Sequence, residues 1–266
     1  MKNHFVFPYA GNKRQEVDKI HEVIKNELKT INTIIEPYCG SSAMSYYIST
    51  LYPKKFKYIL NDTDENLIKL YDIMRNKEKL DEFYKELNFF IEKFNLFTED
   101  EPRKEFYKSF ISSKNIASYF VKNRYYCINA GTYPMISTIK QIKEFSIEDK
   151  PIYNFLMNED IKFLNCDGID LYEQFKENED CLFLIDPPYI MSSNLFYKQK
   201  TTTIYEYMFN NPIIKEKSKI VLVLENNWII KLLFSENIKS TEYEKKYGSA
   251  GSLKKTKTNH IIISNF

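Results

Sequence analysis

The 266-residue chain carries 38 Lys and Arg against 36 Asp and Glu, a formal charge of +2, with 43% hydrophobic and 28% charged residues. That balance excludes a polyelectrolyte tail and bulk disorder, and it fits one large globular domain or a domain with an insertion. The longest apolar runs, 181–185 and 220–224, fall far short of the roughly 20 residues of a membrane helix; the opening residues show no secretory pattern, and an intracellular protein is expected.

Four cysteines (Cys39, Cys127, Cys166, Cys181) include no C-x-x-C pair, and His4, His21 and His260 have no ligand spacing. Neither a zinc site nor a disulfide framework is expected, and no metal ligand is assigned. The chain holds 20 Phe and 21 Tyr but one Trp. Such an excess suits base stacking, yet an A/T-rich coding sequence also enriches Lys, Asn, Ile, Phe and Tyr, and on composition alone that plainer account is preferred.

In chain order, short β-branched runs end in polar or acidic residues and lead into helical stretches. Thr33-Ile34-Ile35 runs into Glu36-Pro37-Tyr38-Cys39-Gly40-Ser41-Ser42, with a helix predicted over 43–51. Tyr58-Ile59-Leu60 ends at Asn61-Asp62, and Asp64 can cap a helix over 65–75. From 76 to 150 the alternation stops, giving helical, charged and aromatic text over 79–94, 104–121 and 123–136, read as an inserted subdomain. Strands then return at 161–164, before Asn165-Cys166-Asp167, and at 181–185, before Asp186-Pro187-Pro188-Tyr189. Another strand over 219–224 leads to Glu225-Asn226-Asn227 and a helix over 228–234; Tyr243 and Ile261-Ile262-Ile263 mark closing strands. The alternation predicts a mostly parallel α/β sheet with its strand ends gathered on one edge.

Asp186-Pro187-Pro188-Tyr189 carries the sharpest chemistry. Two prolines have no N–H to donate and force an extended path, leaving carbonyls as rigid acceptors. With the Asp186 carboxylate they suit the exocyclic amine of a flat base, and Tyr189 offers a stacking face. In the 36–42 turn, Gly40 and its small neighbours allow close backbone approach, and the following helix N-terminus favours a carboxylate. Asp62 at a strand end can accept both hydroxyls of a ribose. Phe7-Pro8-Tyr9-Ala10-Gly11-Asn12-Lys13 can close over a ligand, with Lys13 meeting a carboxylate.

In this order the motifs resemble the Dam-like DNA adenine-N6 methyltransferases, the D12 or α class, over nearly the whole chain. Residues 7–13 resemble the family's N-terminal cofactor motif and 36–42 its E-P-F-x-G-x-G loop; Leu60-Asn61-Asp62 with Asn66-Leu67-Ile68 and Tyr71 is similar to its ribose-binding segment. The resemblance implies a Rossmann-like sheet of roughly seven strands that binds S-adenosyl-L-methionine (SAM) and is formed by residues 1–75 and 151–266. A mainly helical target recognition insertion at 76–150 would bind double-stranded DNA. It assigns the cofactor to Tyr9, Lys13, Glu36, Tyr38, Gly40, Ser41, Asp62, Asp167 and Asp186, and catalysis to Asp186, Pro187, Pro188 and Tyr189, acting on a flipped adenine.

Asn123-Arg124-Tyr125-Tyr126-Cys127-Ile128-Asn129-Ala130-Gly131 is similar to the family's N-R-x-x-F-N-G segment at the DNA, which places Arg124, Tyr125, Asn129 and Tyr133 against it. Lys254, Lys255 and Lys257, in the segment 245–257 that resembles the family's basic loop, would hold phosphates. Two departures stand out: Ser42 replaces the last Gly of the loop, and Thr132-Tyr133-Pro134-Met135 replaces the basic hairpin, so recognition of GATC is not implied. A monomer located inside the cell, either cytoplasmic or DNA-associated, is expected. The alternatives are methylation of RNA adenine or protein, whose enzymes typically carry Asn before P-P-Y, and an inactive DNA-binding homologue, which would lose Asp186, Gly40 or Asp62. Cytosine-N4 enzymes usually carry Ser first.

Overall fold

The computed structural model of the protein describes residues 4–7, 9, 11–125, 139–190, 203–234, 238–247 and 256–266. Two compact units form: Met1–Arg14 with Asp64–Glu159, and Gln15–Thr63 with Asp160–Phe266.

The second unit holds a seven-stranded sheet: β1 (Thr33–Glu36), β2 (Lys57–Asn61), β3 (Ile161–Leu164), β4 (Cys181–Ile185), β5 (Lys219–Glu225), β6 (Lys239–Tyr247) and β7 (Thr256–Ser264). Their order across the sheet is β3-β2-β1-β4-β5-β7-β6. The first five run parallel, while β7 is antiparallel to β5 and to β6. The sequence explains the placement. Cys-Leu-Phe-Leu-Ile of β4 is buried at every position, as is 220–224 of β5, the pattern of strands covered on both faces. Lys-Ser-Thr-Glu-Tyr-Glu-Lys-Lys-Tyr of β6 occupies an edge, where charge discourages pairing with another chain. The pairings Ile35↔Ile59, Ile35↔Phe183 and Ile185↔Leu222 bring the ends of β1, β2, β4 and β5 to one edge. Helices α1 (Val17–Ile24) and α2 (Ala43–Leu51) belong to this unit, as do three later ones introduced below. The sheet of seven strands agrees with the sequence expectation.

The other unit is helical: α3 (Glu65–Arg75), α4 (Lys77–Leu96), α5 (Asp100–Ser112), α6 (Ile116–Tyr125) and the short α7 (Tyr153–Leu156). Asn76, extended at φ −116°, separates α3 from α4 and caps the latter by accepting from the Lys79 N–H at 3.1 Å. Its aromatic residues form the core. Phe90, fully buried, lies 4.5 Å from Phe110 and 5.6 Å from Phe106 between ring centroids, and Phe83 meets Phe120 edge-on at 5.5 Å. Truncating a buried Phe of this kind costs about 3–5 kcal/mol. A single helix predicted over 104–121 is instead two. Ser113 is extended at ψ 144°, and Asn115 accepts from the Ser118 N–H at 2.8 Å, capping a new helix. The helix predicted over 123–136 is described only to Tyr125; the remainder lies outside the described residues.

The compact units are cut at 14/15, 63/64 and 159/160, whereas the alternation of strand and helix was lost at 76 and regained at 150. Aromatic packing accounts for the difference. Phe5 meets Tyr71 of α3 at 5.7 Å, Phe7 meets Tyr119 and Phe120 of α6 at 6.2 and 6.1 Å, and the Arg124 guanidinium donates to the Val6 carbonyl. The N-terminal segment and α3 therefore group with the helices.

Candidate active site

The remaining helices of the sheet unit are α8 (Gly168–Phe175), α9 (Thr203–Asn210) and α10 (Trp228–Leu233). Strand-to-helix turns at the carboxy edge carry the polar residues. After β1, Glu36 is 1% exposed, and its Oε1 accepts from the Ser45 N–H at 2.8 Å, capping α2 from a distance. Gly40 and Ser42 both adopt left-handed backbone, at φ 47° and 51°. Glycine takes that geometry freely, while serine is strained in it by roughly 1–2 kcal/mol. Ser42 thus sits in the conformation that a glycine would favour, its N–H donating to the Cys39 carbonyl at 2.6 Å.

Two residues at the end of β2 fix this turn. The Asp62 carboxylate accepts from the Gly40 N–H at 3.0 Å. Asn61, fully buried, donates through Nδ2 to the carbonyls of Pro37 at 2.9 Å and Cys166 at 3.0 Å, and its Oδ1 accepts from the Cys166 N–H at 2.9 Å. One amide therefore ties together the turns after β1, β2 and β3. Asn61 stood in the sequence only as a neighbour of Asp62; its location at a strand end beside a second polar residue was the available signal.

Beyond β3, Asp167 accepts from the Ile169 N–H at 2.8 Å and caps α8. Gly168 follows because there is no room for more: a Cβ there would lie 2.7 Å from Cζ of Tyr38. Burial, then the nearby carboxylates of Asp167 and Asp62, push the Tyr38 phenol well above its ordinary pKa. Tyr38, Gly40, Asp62 and Asp167 are thus gathered at one place, with Ser41 buried beside them. Burial disfavours the thiolate of the two buried cysteines, Cys39 and Cys181. Burial raises the thiol of Cys39 well above its usual value, with Asp62 and Glu36 adding to the effect, and raises that of Cys181 to about 11.

Next in the sheet to β1, β4 leads into Asp186-Pro187-Pro188-Tyr189, a segment outside regular secondary structure and without a cis peptide. Pro187 is buried, and Asp186, Pro188 and Tyr189 are half-buried. The Tyr205 hydroxyl on α9 donates to the Pro188 carbonyl at 3.2 Å. The Tyr189 ring meets His260 edge-on at 5.5 Å.

The other predicted residues have these surroundings. Tyr9 and Lys13 belong to the helical unit, where Tyr9 lies against Phe5 and Phe7, and Lys13, 3% exposed, donates to the Gly11 carbonyl at 2.9 Å. In that same unit the Arg124 guanidinium lies over Phe120, Tyr125 and Phe145, besides its bond to Val6. Tyr125 is half-buried, and burial raises its phenol. Lys257 is exposed on β7 and paired with Glu244 at 3.0 Å. Lys245, part of the stretch read as a basic loop, is instead buried in β6 and paired with Glu16 at 2.6 Å. Asn129, Tyr133, Lys254 and Lys255 lie outside the described residues. Among the described residues, no cluster of three or more His, Cys, Asp or Glu could hold a metal, and no helix is long and apolar enough to cross a membrane.

The strand order, with polar strand-to-helix turns gathered at the carboxy edge, defines a Rossmann-like α/β fold. The family described as D12 class N6 adenine-specific DNA methyltransferase matches residues 9–261, and the chain belongs to that family. It is accordingly an adenine-specific DNA methyltransferase, with SAM as methyl donor and DNA as substrate. No curated protein matches the sequence. Among solved structures, the chain is similar to the precorrin-6y C5,15-methyltransferase of Geobacter metallireducens GS-15, with 9% identity over 99% of this chain and 98% of that one and a TM-score of 0.39. It is also similar to the N-terminal domain of human METTL16 in complex with SAH, with 9% identity over 98% of this chain and 72% of that one and a TM-score of 0.43.

Proposed function

We propose that the carboxy edge of the sheet carries out the methyl transfer to adenine N6, on a base flipped out of double-stranded DNA. The observation that carries this reading is the Asp186-Pro187-Pro188-Tyr189 segment directly after β4, the strand paired with β1. The residues beside it fit SAM: the turn around Gly40 is held open by Asp62, and the Tyr38 ring lies over a glycine whose Cβ would strike it. Gly40 and Ser41 would line the cofactor, Asp62 accept its ribose hydroxyls, Asp167 meet its adenine amine, and Tyr38 cover it. Glu36 would act through the cap it gives α2, while Tyr9 and Lys13 would contribute from the N-terminal motif, Lys13 facing the cofactor carboxylate.

Bound SAM supplies an electrophilic methyl group on a sulfonium that departs as a neutral thioether. The chain's own task is to present the nitrogen. Asp186 and the Pro187 carbonyl would accept the two N–H groups of the amine, turning its lone pair out of conjugation with the ring, Tyr189 would stack on the base, and the methylated nitrogen would release one proton through Asp186 to solvent. No protein nucleophile is needed, in keeping with thiols that burial holds protonated. Transfer of labelled methyl from SAM to double-stranded DNA, RNA and protein in parallel tests the reading. Label in DNA as N6-methyladenine is expected, and Asp186→Ala should lose most of kcat while retaining SAM affinity. Near-normal turnover in that variant would overturn the assignment of the motif.

The 76–150 segment would serve as the target recognition subdomain. Arg124 would exchange the Val6 carbonyl for a base edge or a phosphate, Tyr125 or Tyr133 would fill the gap left by the flipped base, and Asn129 would join the readout. Lys254, Lys255 and Lys257 would hold the backbone. The enzyme would work as an intracellular monomer. Single-molecule sequencing of DNA from a methylation-free host expressing the protein should show modified adenines in one short context; unmodified DNA beside methylated RNA or protein would refute this.

A further inference from the structure

His260 sits on β7 between its two neighbours, in register with Glu225 on β5 and with Tyr243 on β6, and it is fully buried. Its imidazole meets the Tyr189 ring at 5.5 Å and 71°, and the Tyr243 ring at 5.6 Å and 36°. Behind it lies Glu16, 2% exposed, whose carboxylate accepts from the Tyr243 hydroxyl and the Lys245 ammonium, both at 2.6 Å, with Oε1 3.7 Å from His260 Nδ1. Lys19 Nζ stands 4.5 Å from the centre of the Tyr243 ring.

We infer that His260, held by the buried Glu16–Tyr243–Lys245 cluster, is a positioning residue that sets the Tyr189 ring for its stack on the target base. This rests on the assignment of Tyr189 proposed above. Edge-to-face contact is directional, so a fixed imidazole limits the angles open to the phenol ring. A buried ion pair is a weak device for stability, because its desolvation offsets its attraction; it does fix groups in space. Here it holds the two antiparallel strands that carry Tyr243 and His260 against Glu16, the residue preceding α1. The side chains come from positions 16, 189, 243, 245 and 260, and of these only Tyr189 and Lys245, the latter read as part of the basic loop, belong to a motif of the methyltransferase reading.

The test compares His260→Ala, His260→Phe and Tyr243→Phe with Tyr189→Ala, measuring kcat, KM for SAM, the SAM dissociation constant and the thermal midpoint. The flipped-base stack is followed by the fluorescence of DNA carrying 2-aminopurine at the target position. In His260→Ala, kcat should fall by roughly 10- to 100-fold, as expected for a misplaced reacting group, with SAM affinity unchanged and a weaker 2-aminopurine stacking signal. His260→Phe, which keeps a flat ring, should recover part of the loss, and Tyr243→Phe should lower kcat by a few fold. Wild-type kcat in His260→Ala beside a crippled Tyr189→Ala would overturn the positioning role while leaving Tyr189 in the site. Wild-type kcat in Tyr189→Ala would instead remove the premise. Should His260→Ala fail to fold, Tyr243→Phe decides: unchanged kcat and stacking signal would overturn the proposal.

Discussion

Replacing Gly168 by Ala places one methyl group where the Tyr38 ring already stands. The new Cβ would lie 2.7 Å from Cζ, 2.9 Å from the hydroxyl oxygen and 3.0 Å from Cε1, against an ordinary contact of about 3.5–4.0 Å. The ring must retreat by about 1 Å, and it can, since Tyr38 is only half-buried; the cost then falls near the lower end of the overpacking range, about 1 kcal/mol. Alanine in the first turn of α8 recovers part of the roughly 1 kcal/mol by which it exceeds glycine as a helix former. The two effects nearly cancel, so the melting temperature should barely move. SAM affinity should not be spared: a displaced Tyr38 forfeits about 1–2 kcal/mol of contact, a factor of roughly 5–30. Titration calorimetry with SAM measures the loss, and the same substitution in a Tyr38→Ala background isolates its origin. There the helix gain is unopposed, so Gly168→Ala should raise the midpoint and leave SAM affinity alone. Equal effects in both backgrounds would refute the reasoning.

Asp62→Ala should weaken SAM binding by about 1.5–3 kcal/mol, more than tenfold, the range for hydrogen bonds to a charged group; calorimetry showing unchanged affinity would remove Asp62 from the site. Ser42→Gly should melt above Ser42→Ala by a few degrees, since both lose the hydroxyl and only glycine relieves φ 51°, worth about 1 kcal/mol or slightly more. A Ser42→Ala melt equal to or above that of Ser42→Gly would contradict this. With burial raising the thiols of Cys39 and Cys181, the latter to about 11, both should be mostly protonated at pH 8. Mass mapping after brief alkylation should find the exposed Cys166 modified ahead of either buried thiol; early modification of Cys39 would count against the packing of its turn.

What the sequence made legible was local. Apolar runs with abrupt polar ends mark β1 to β5, most clearly β4 and β5, because a strand buried on both faces needs an unbroken apolar run and must stop where polar turns begin; β3, at the sheet edge, tolerates the exposed Lys162. The Asp-Pro-Pro-Tyr segment stood out for the same kind of reason: two prolines leave the backbone few options. Caps were harder to separate from ligands. Glu36 and Asp167, both read from the chain as cofactor residues, spend a carboxylate oxygen on helix N–H groups, and acid at a strand end looks alike in either role. The break between α5 and α6 turns on one asparagine cap that a run of helix formers on both sides conceals. Contacts between distant positions were invisible: nothing near Glu16 in the chain points to residues 243, 245 and 260, or from Arg124 to Val6. Part of the aromatic excess packs the helical core around Phe90 and Phe120.

Asn61 gives the turns of the carboxy edge a common fate. Its side chain holds Pro37 and Cys166, while its own carbonyl accepts from the Cys39 N–H at 2.7 Å. Releasing any one of these turns strands a buried amide that serves the others, so opening one alone gains little freedom for its cost. The protecting unit should be the trio. In native-state hydrogen exchange, the amides of Cys39 and Cys166 should share one opening free energy and one denaturant dependence; clearly separate values would show that the turns breathe independently. The floor beneath the cofactor would then give way as a single plate, and a ligand resting on any part of it would slow exchange across all three turns.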